Sequence, residues 1–327
     1  MYESIEMCPL TKVIIDTRHV QRLRMLEQLG CSYLTFMNAT HKRYEHSLGV
    51  MHLGRLVCES ISTKQPKLGI TPKEIKCVSI AGLLHDLGHG PFSHNYELFL
   101  KLLDKALKCG SFLGYAFDTD GIYKGYLDIT DGWEHEDASL MMVDDLLRHL
   151  GLEIDETNLD APLKQIGDGI DASLFGLYST GDTAEDSDDE DVDCQKKSIN
   201  PLPIDRVLTS RDWIFIKECI IGHPLPPKGM SIRSFKRSKL PKVMIGRTDP
   251  FKEFLYDIIC NRHSGLDVDK MDYLMRDTLR CHGTNIVAHI VFRLIEKSLV
   301  AWGECSDPLS CWKCEQNVNG STRHLMM

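Results

Sequence analysis

The chain has 327 residues, 43% hydrophobic and 26% charged, a globular balance that excludes collagen, coiled coil and wholesale disorder and leaves room for one large domain or two modest ones. Its 47 acids and 38 bases give a net charge of −9, yet eight of the acids fall in Asp182–Asp193 and the remainder nearly balances, so the basic excess of a general nucleic-acid binder is absent. Twelve cysteines without a framework spacing, no signal peptide and no apolar run near the ~18 residues of a membrane span predict reduced thiols, no membrane partner and a nuclear or cytoplasmic protein.

Val20, Leu23 and Leu26 recur near helical spacing and predict a helix over Arg18–Leu29, stopped by Gly30. Val50, Leu53, Val57 and Ile61 keep one face apolar in a helix beginning near His46. Thr71-Pro72-Lys73-Glu74 reads as a capping box with proline at the first helical position. The helix that it starts carries Ile75, Val78, Ile80, Leu83 and Leu84 into His85-Asp86, and Leu87-Gly88-His89-Gly90-Pro91 breaks it. Helices follow over 138–152 and Asp212–Ile221. Between them the acidic run has too little apolar area to offset its ordering entropy, and predicts a disordered surface loop over about 178–200. Pro224–Pro250 holds five prolines and the basic cluster Arg233, Lys236, Arg237, Lys239 and Lys242, so it should be irregular. That cluster reads either as a solvated loop or as a nuclear-import or nucleic-acid patch. Phe251–Asn261 and Asp267–Leu279 should be helical, whereas 301–327 has no period and predicts an irregular tail. Within it, Cys311-Trp312-Lys313-Cys314 is half a zinc site, a redox pair or a coincidence of spacing.

His85-Asp86 ends a strongly apolar helix, where burying an imidazole beside a carboxylate is costly unless something pairs with both. A divalent metal is one such partner, and nitrogen plus carboxylate oxygen suits iron, zinc or manganese. A solvated helix end with a dipole-stabilised histidine is the alternative. The pair has company: His46 in the preceding helix, then His89, His94, His135 and Asp269. On a helix Asp269, Tyr273 and Asp277 share one face, with Met271, Leu274, Met275 and Leu279 on the other. That face is either solvated or the wall of a polar cavity.

His46, His85-Asp86 and Asp269 together resemble the ligand signature of the HD-domain phosphohydrolases. The wording around them is narrower still. Ile14-Ile15-Asp16-Thr17, Gln21-Arg22-Leu23-Arg24, the run His41–Val50, the run Ala81–His94 and Asp267-Val268-Asp269-Lys270 are similar to the sterile-alpha-motif and HD-domain deoxynucleoside triphosphate triphosphohydrolases. The likeness spans about residues 9–285. It implies an all-α HD-domain fold over about residues 1–300, with His46, His85, Asp86 and Asp269 holding the metal. It implies hydrolysis of deoxynucleoside triphosphates to deoxynucleoside and tripolyphosphate, with magnesium on the substrate phosphates. By family position His89 and His135 sit at the α-phosphate, and Glu97 orients His135. His94, Arg43 and Lys270 bind phosphate, and Gln28, Leu29, Tyr273 and Asp277 hold the sugar. Asp16, Gln21 and Arg24 match positions for a guanine-nucleotide activator at the interface of a homo-oligomer; a salt-bridged surface is their other reading.

Three departures stand out. Glu97 replaces the family's aspartate, and a methylene moves a carboxylate by about 1.5 Å, which predicts a less well oriented His135. Glu97 to His135 is longer than the family spacing, and Gly110, Gly114, Gly121 and Gly125 suggest an inserted loop over about 98–132. The likeness also fades after about Gly283, where relatives continue and supply further phosphate contacts. Two alternatives therefore stand beside the enzyme: an impaired relative that regulates or hetero-oligomerises with a full-length one, and a phosphohydrolase of another nucleotide.

Overall fold

The computed structural model describes Tyr2 and residues 4–109, 111–112, 115–116, 134–166, 208–304 and 321–326. The acidic run, the Cys311–Cys314 stretch and the four glycines of the expected insertion lie outside the described residues.

Helices dominate, as the sequence predicts: α1 (Pro9–Ile15), α2 (Arg18–Gln21), α3 (Arg43–Lys64), α4 (Pro72–Leu84), α5 (His94–Cys109), α6 (His135–His149), α7 (Ser210–Ile221), α8 (Ile232–Arg237), α9 (Val268–His282) and α10 (Ile286–Lys297). The centre is α3, packed most extensively on α4 and also on α9 and α10. Its predicted apolar face, Val50, Leu53, Val57 and Ile61, is fully buried, as are Ile80 and Leu83 of α4 and Trp213 and Phe215 of α7. Each such side chain contributes roughly 1.5–3 kcal/mol by leaving water. Among the described residues no helix is long and apolar enough to cross a membrane.

Local signals placed α4 correctly. Thr71 Oγ1 accepts from the Glu74 N–H at 3.2 Å and Glu74 Oε2 accepts from the Thr71 N–H at 2.8 Å, closing the predicted capping box. A second box, Thr209 with Asp212, starts α7.

Other expectations are corrected. The helix expected over Arg18–Leu29 stops at Gln21, tightens to 3-10 over Arg22–Met25 and becomes extended at Leu26. Long-range pairing takes these backbone groups, with Arg43 N–H donating to Leu26 O at 2.9 Å and Gln28 N–H to His41 O at 3.0 Å. The next helix begins at Arg43 rather than near His46, which puts Arg43 in its first turn. The first part of the expected inserted loop is helical, because α5 runs to Cys109. Pro224–Pro250 contains the short α8, whose Ser231 side chain caps it. Pro250–Ile258 is 3-10 rather than α, capped by Asp249. Leu274, placed on the apolar face of its helix, is exposed.

The strands are short. β1 (Ser111–Phe112) pairs with β2 (Tyr115–Ala116) and β3 (Leu152–Glu153) with β4 (Lys164–Gln165). The tail is not wholly irregular, since β5 (Leu299–Glu304) pairs antiparallel with β6 (Ser321–Met326). Buried Val300 and Leu325 face each other there, and the Gln65 amide accepts from the Val300 N–H at 2.7 Å and donates to its carbonyl at 2.9 Å. The pairing partner lies too far along the chain for a periodicity reading to detect it.

Candidate metal centre and the cavity around it

Three helix ends converge. His46 lies in the first turn of α3, His85 caps the C-terminus of α4 with Asp86 next to it, and Asp269 lies in the first turn of α9. His46 Nε2 is 3.0 Å from Asp269 Oδ1, 3.2 Å from His85 Nε2 and 3.5 Å from Asp86 Oδ2. His85 Nε2 is 3.4 Å from both Asp86 Oδ1 and Asp269 Oδ1.

The donor chemistry fits a cation. His85 Nδ1 lies 2.8 Å from the Gly82 carbonyl, and His46 Nδ1 lies 2.8 Å from Asp272 Oδ2. Both contacts require an Nδ1–H, which leaves Nε2 of each ring turned toward the carboxylates as the nitrogen able to bind a metal once its proton is displaced. Asp86 and Asp269 each bring a carboxylate within 3.5 Å of both Nε2 atoms. Ligands held ~2.1 Å from one ion lie about 3.0 Å apart at right angles and about 3.4 Å apart at the tetrahedral angle, which matches the distances here.

The electrostatics agree. Burial pushes the His46 imidazole down, but Asp269, Asp272 and Asp86 outweigh it and raise its pKa to about 10. His85 is raised likewise, burial being overcome chiefly by Asp86 and Asp269. Burial would raise Asp86, yet Arg43, His85 and His89 hold its carboxyl far below the usual range. A buried site in which negative charge overrides desolvation attracts a cation.

Next to this group stand three more imidazoles. The His89 ring stacks on His135 with centroids 4.1 Å apart, and His94 meets both edge-on at 4.9 and 5.6 Å. Burial, aided by Arg43, pushes His89 down to about 3 and lowers His94 as well, so both are neutral at neutral pH. His89 Nε2 is 3.2 Å from Asp86 Oδ1, which links the two clusters. His135 Nδ1 is 3.0 Å from Glu97 Oε2 and 3.3 Å from Glu136 Oε2, so the longer acid reaches the ring but shares its nitrogen with a second carboxylate.

The backbone that presents these rings is held in place on several sides. Phe92 and Ser93 adopt left-handed φ values of 63° and 57°, a strained turn for non-glycine residues that swings His94 back toward His89. Ser93 Oγ donates to Glu27 O at 2.5 Å and accepts from Arg43 Nε at 2.8 Å. Gly88 has no room for a side chain, since a Cβ would lie 2.1 Å from the His135 carbonyl oxygen. Ser139 Oγ donates to His85 O at 2.7 Å and accepts from Gly88 N–H at 2.9 Å, fastening the loop to α6.

His85, Asp86, Asp269 and the three further imidazoles line a cavity of about 330 Å³, a normal size for a small-ligand site, whereas His46 is not among its lining residues. Arg43 pairs with Asp86 and Ser93, while its Nη2 is buried without a partner. Gln28 and Leu29 line the same cavity, and Gln28 Oε1 is also buried without a partner. Tyr273 and Asp277 form the wall expected of the α9 face, with Asp277 Oδ1 2.7 Å from His41 Nε2.

Two expectations fall elsewhere. Lys270 turns its ammonium to the Gly265 carbonyl and is not among the cavity-lining residues. Asp16, Gln21 and Arg24 also lie off the cavity, where Gln21 donates to Ile15 O at 2.9 Å and accepts from Arg24 Nε at 2.7 Å.

Sequence reasoning missed the residues behind the site. Asp272 supports His46, His41 supports Asp277, and Arg22 donates to the carbonyls of Leu87 and His89. The one available signal was spacing, since Asp272 follows Asp269 by a single helical turn.

Residues 43–122 match the family described as HD domain. Over 289 residues, 88% of this chain, the sequence is 35% identical to the deoxynucleoside triphosphate triphosphohydrolase SAMHD1 of Bos taurus, and covers 35% of that protein. The Homo sapiens protein of the same name is 32% identical over 287 residues, 88% of this chain and 33% of its own length. A homologue from Dictyostelium discoideum is 29% identical over 264 residues, 81% of this chain and 32% of its own length. The chain thus spans about a third of the length of the curated relatives it matches.

Proposed function

From the premise that this chain carries an HD domain and is homologous to deoxynucleoside triphosphate triphosphohydrolases, we propose that it is a metal-dependent phosphohydrolase. Its substrates would be deoxynucleoside triphosphates and its products the deoxynucleoside and tripolyphosphate. The observation that carries the reading is the convergence of two imidazole Nε2 atoms with two carboxylates, each carboxylate within 3.5 Å of both rings, beside a cavity lined by Arg43, His89, His94 and His135. The donor set suits iron, zinc or manganese; magnesium would accompany the substrate phosphates.

Held by His46, His85, Asp86 and Asp269, a divalent ion would supply Lewis acidity at the phosphate. The chain's own residues do the remainder. Arg43 Nη2 neutralises phosphate charge, and its pairing with Asp86 keeps the fork fixed before substrate arrives. Glu97 holds His135 Nδ1, so that Nε2 faces the cavity and passes a proton to the leaving 5′-oxygen. Neutral His89 and His94 hydrogen-bond the phosphate without adding charge that would compete for the metal. Gln28 Oε1 accepts from a sugar hydroxyl, and Tyr273 beside Asp277 closes the space where a 2′-hydroxyl would project. Asp16, Gln21 and Arg24 stand as the positions for an activating guanine nucleotide in a homo-oligomer.

The test is incubation of purified protein with a deoxynucleoside triphosphate and manganese, followed by phosphorus NMR of the products. Tripolyphosphate is the expected product. Metal retained on the protein with no product under any divalent ion would favour the regulatory relative instead.

A further inference from the structure

The proposal below rests on the metal-centre reading and deepens it. We propose that Tyr2 is a positioning residue of that centre: its hydroxyl fixes the Asp272 carboxylate that orients His46, so docking of the N-terminal segment sets the affinity for metal.

Asp272 is fully buried on α9, one turn beyond the ligand Asp269. Its Oδ2 receives His46 Nδ1–H at 2.8 Å and Arg276 Nε at 2.9 Å. Its Oδ1 receives Arg276 Nη2 at 2.9 Å and the Tyr2 hydroxyl at 2.5 Å. Four donors thus saturate one carboxylate. Arg276 already balances its charge, so the Tyr2 bond serves geometry rather than neutralisation.

The neighbours make room for this arrangement. A Cβ at Gly49 would lie 1.8 Å from Asp272 Oδ1, so α3 carries a bare backbone where the carboxylate must approach. The Tyr2 ring wedges between α3 and α10, edge to face with His52 at 5.0 Å and with Phe292 at 6.4 Å. Burial and the adjacent Asp272 raise the phenol far above its ordinary pKa, which keeps the hydroxyl a donor. An unbroken path therefore runs from residue 2 through Asp272 to His46 Nδ1–H, and hence to the direction of the Nε2 lone pair. A site must hold its ligands within roughly 0.5 Å and 10–20° to work, and losing a partner behind a ligating histidine typically weakens metal binding about 10–100-fold.

The experiment is manganese(II) binding to the full chain, followed through the EPR signal of the free ion. It uses wild type, Tyr2→Phe, Asp272→Asn and Gly49→Ala. Tyr2→Phe keeps both ring contacts and should fold normally, with Kd raised about 10-fold; Asp272→Asn should approach 100-fold. Gly49→Ala presses a methyl group on the same carboxylate oxygen and should weaken binding in the same sense. The melting temperature of each metal-free variant separates positioning from a purely structural role, which would lower stability and leave Kd unmoved. Wild-type binding together with an unchanged Kd for Tyr2→Phe overturns this proposal alone. A wild-type protein that binds no divalent metal overturns the metal-centre reading, and this proposal with it.

Discussion

Replacing Asp86 with alanine perturbs two things at once, and the two can be measured apart. The carboxylate is 4% exposed and lies between Arg43, with which it pairs directly, and His85 and His89, at 3.4 and 3.2 Å. Asp86→Ala leaves Arg43, itself 2% exposed, as a buried charge whose remaining partner is Ser93. Breaking one side of a buried pair costs about 3–5 kcal/mol. At ~2.1 cal/mol/K per residue of unfolding entropy, a chain of this length should lose about 4–7 °C of melting temperature in the metal-free state. The linkage has a definite sign. Because the folded Asp86 carboxyl is held far below its unfolded value, its stabilisation is present above the unfolded pKa and disappears as pH falls toward the folded one. Calorimetry on metal-free wild type and variant at neutral pH reads the ion pair, and elemental analysis after metal loading reads the ligand. The double variant Arg43→Met/Asp86→Ala should recover part of the lost stability and none of the metal. Full metal occupancy in Asp86→Ala, or a metal-free melting temperature equal to wild type, would refute the reasoning.

Gly88→Ala should keep its metal but lose roughly 10²-fold in turnover, because the new methyl group collides with the His135 carbonyl and displaces that ring; metal content and turnover measured on the same preparation check this. Burial raises the Glu218 carboxyl to about 7 against an ordinary 4.5, so the folded state keeps a proton that the unfolded state has lost. Stability should therefore fall as pH rises from 4.5 to 7, by up to about 3 kcal/mol from this group, and level off above. Urea midpoints at pH 5 and pH 7 should differ less in Glu218→Gln than in wild type, and an identical difference counts against the assignment. Tyr273→Ala should raise the ratio of ribonucleotide to deoxyribonucleotide hydrolysis, read by product analysis with the two substrates in competition.

Much of this protein was legible in its sequence wherever the cause is local or chemical. The Thr71–Glu74 capping box closes within four residues, and the apolar face of α3 follows from helical period alone. His46, His85, Asp86 and Asp269 stand out because a metal accepts few side-chain types, and those types are expensive to bury without one. Tertiary structure decided what depends on groups distant along the chain. The helix expected over Arg18–Leu29 breaks because its backbone groups pair with residues 41–43. The tail forms a ladder because β6 finds β5, whose Val300 is held in turn by Gln65. Asp272 is an unremarkable helical acid in the sequence, and becomes the support of His46 only once α3, α9 and Tyr2 meet around it. Lys270 carries the right charge for phosphate, but the turn at Gly265 offers its ammonium a nearer carbonyl. Residue type and spacing report what a side chain is able to bind, whereas the packing of helices around α3 decides which partner lies within its reach.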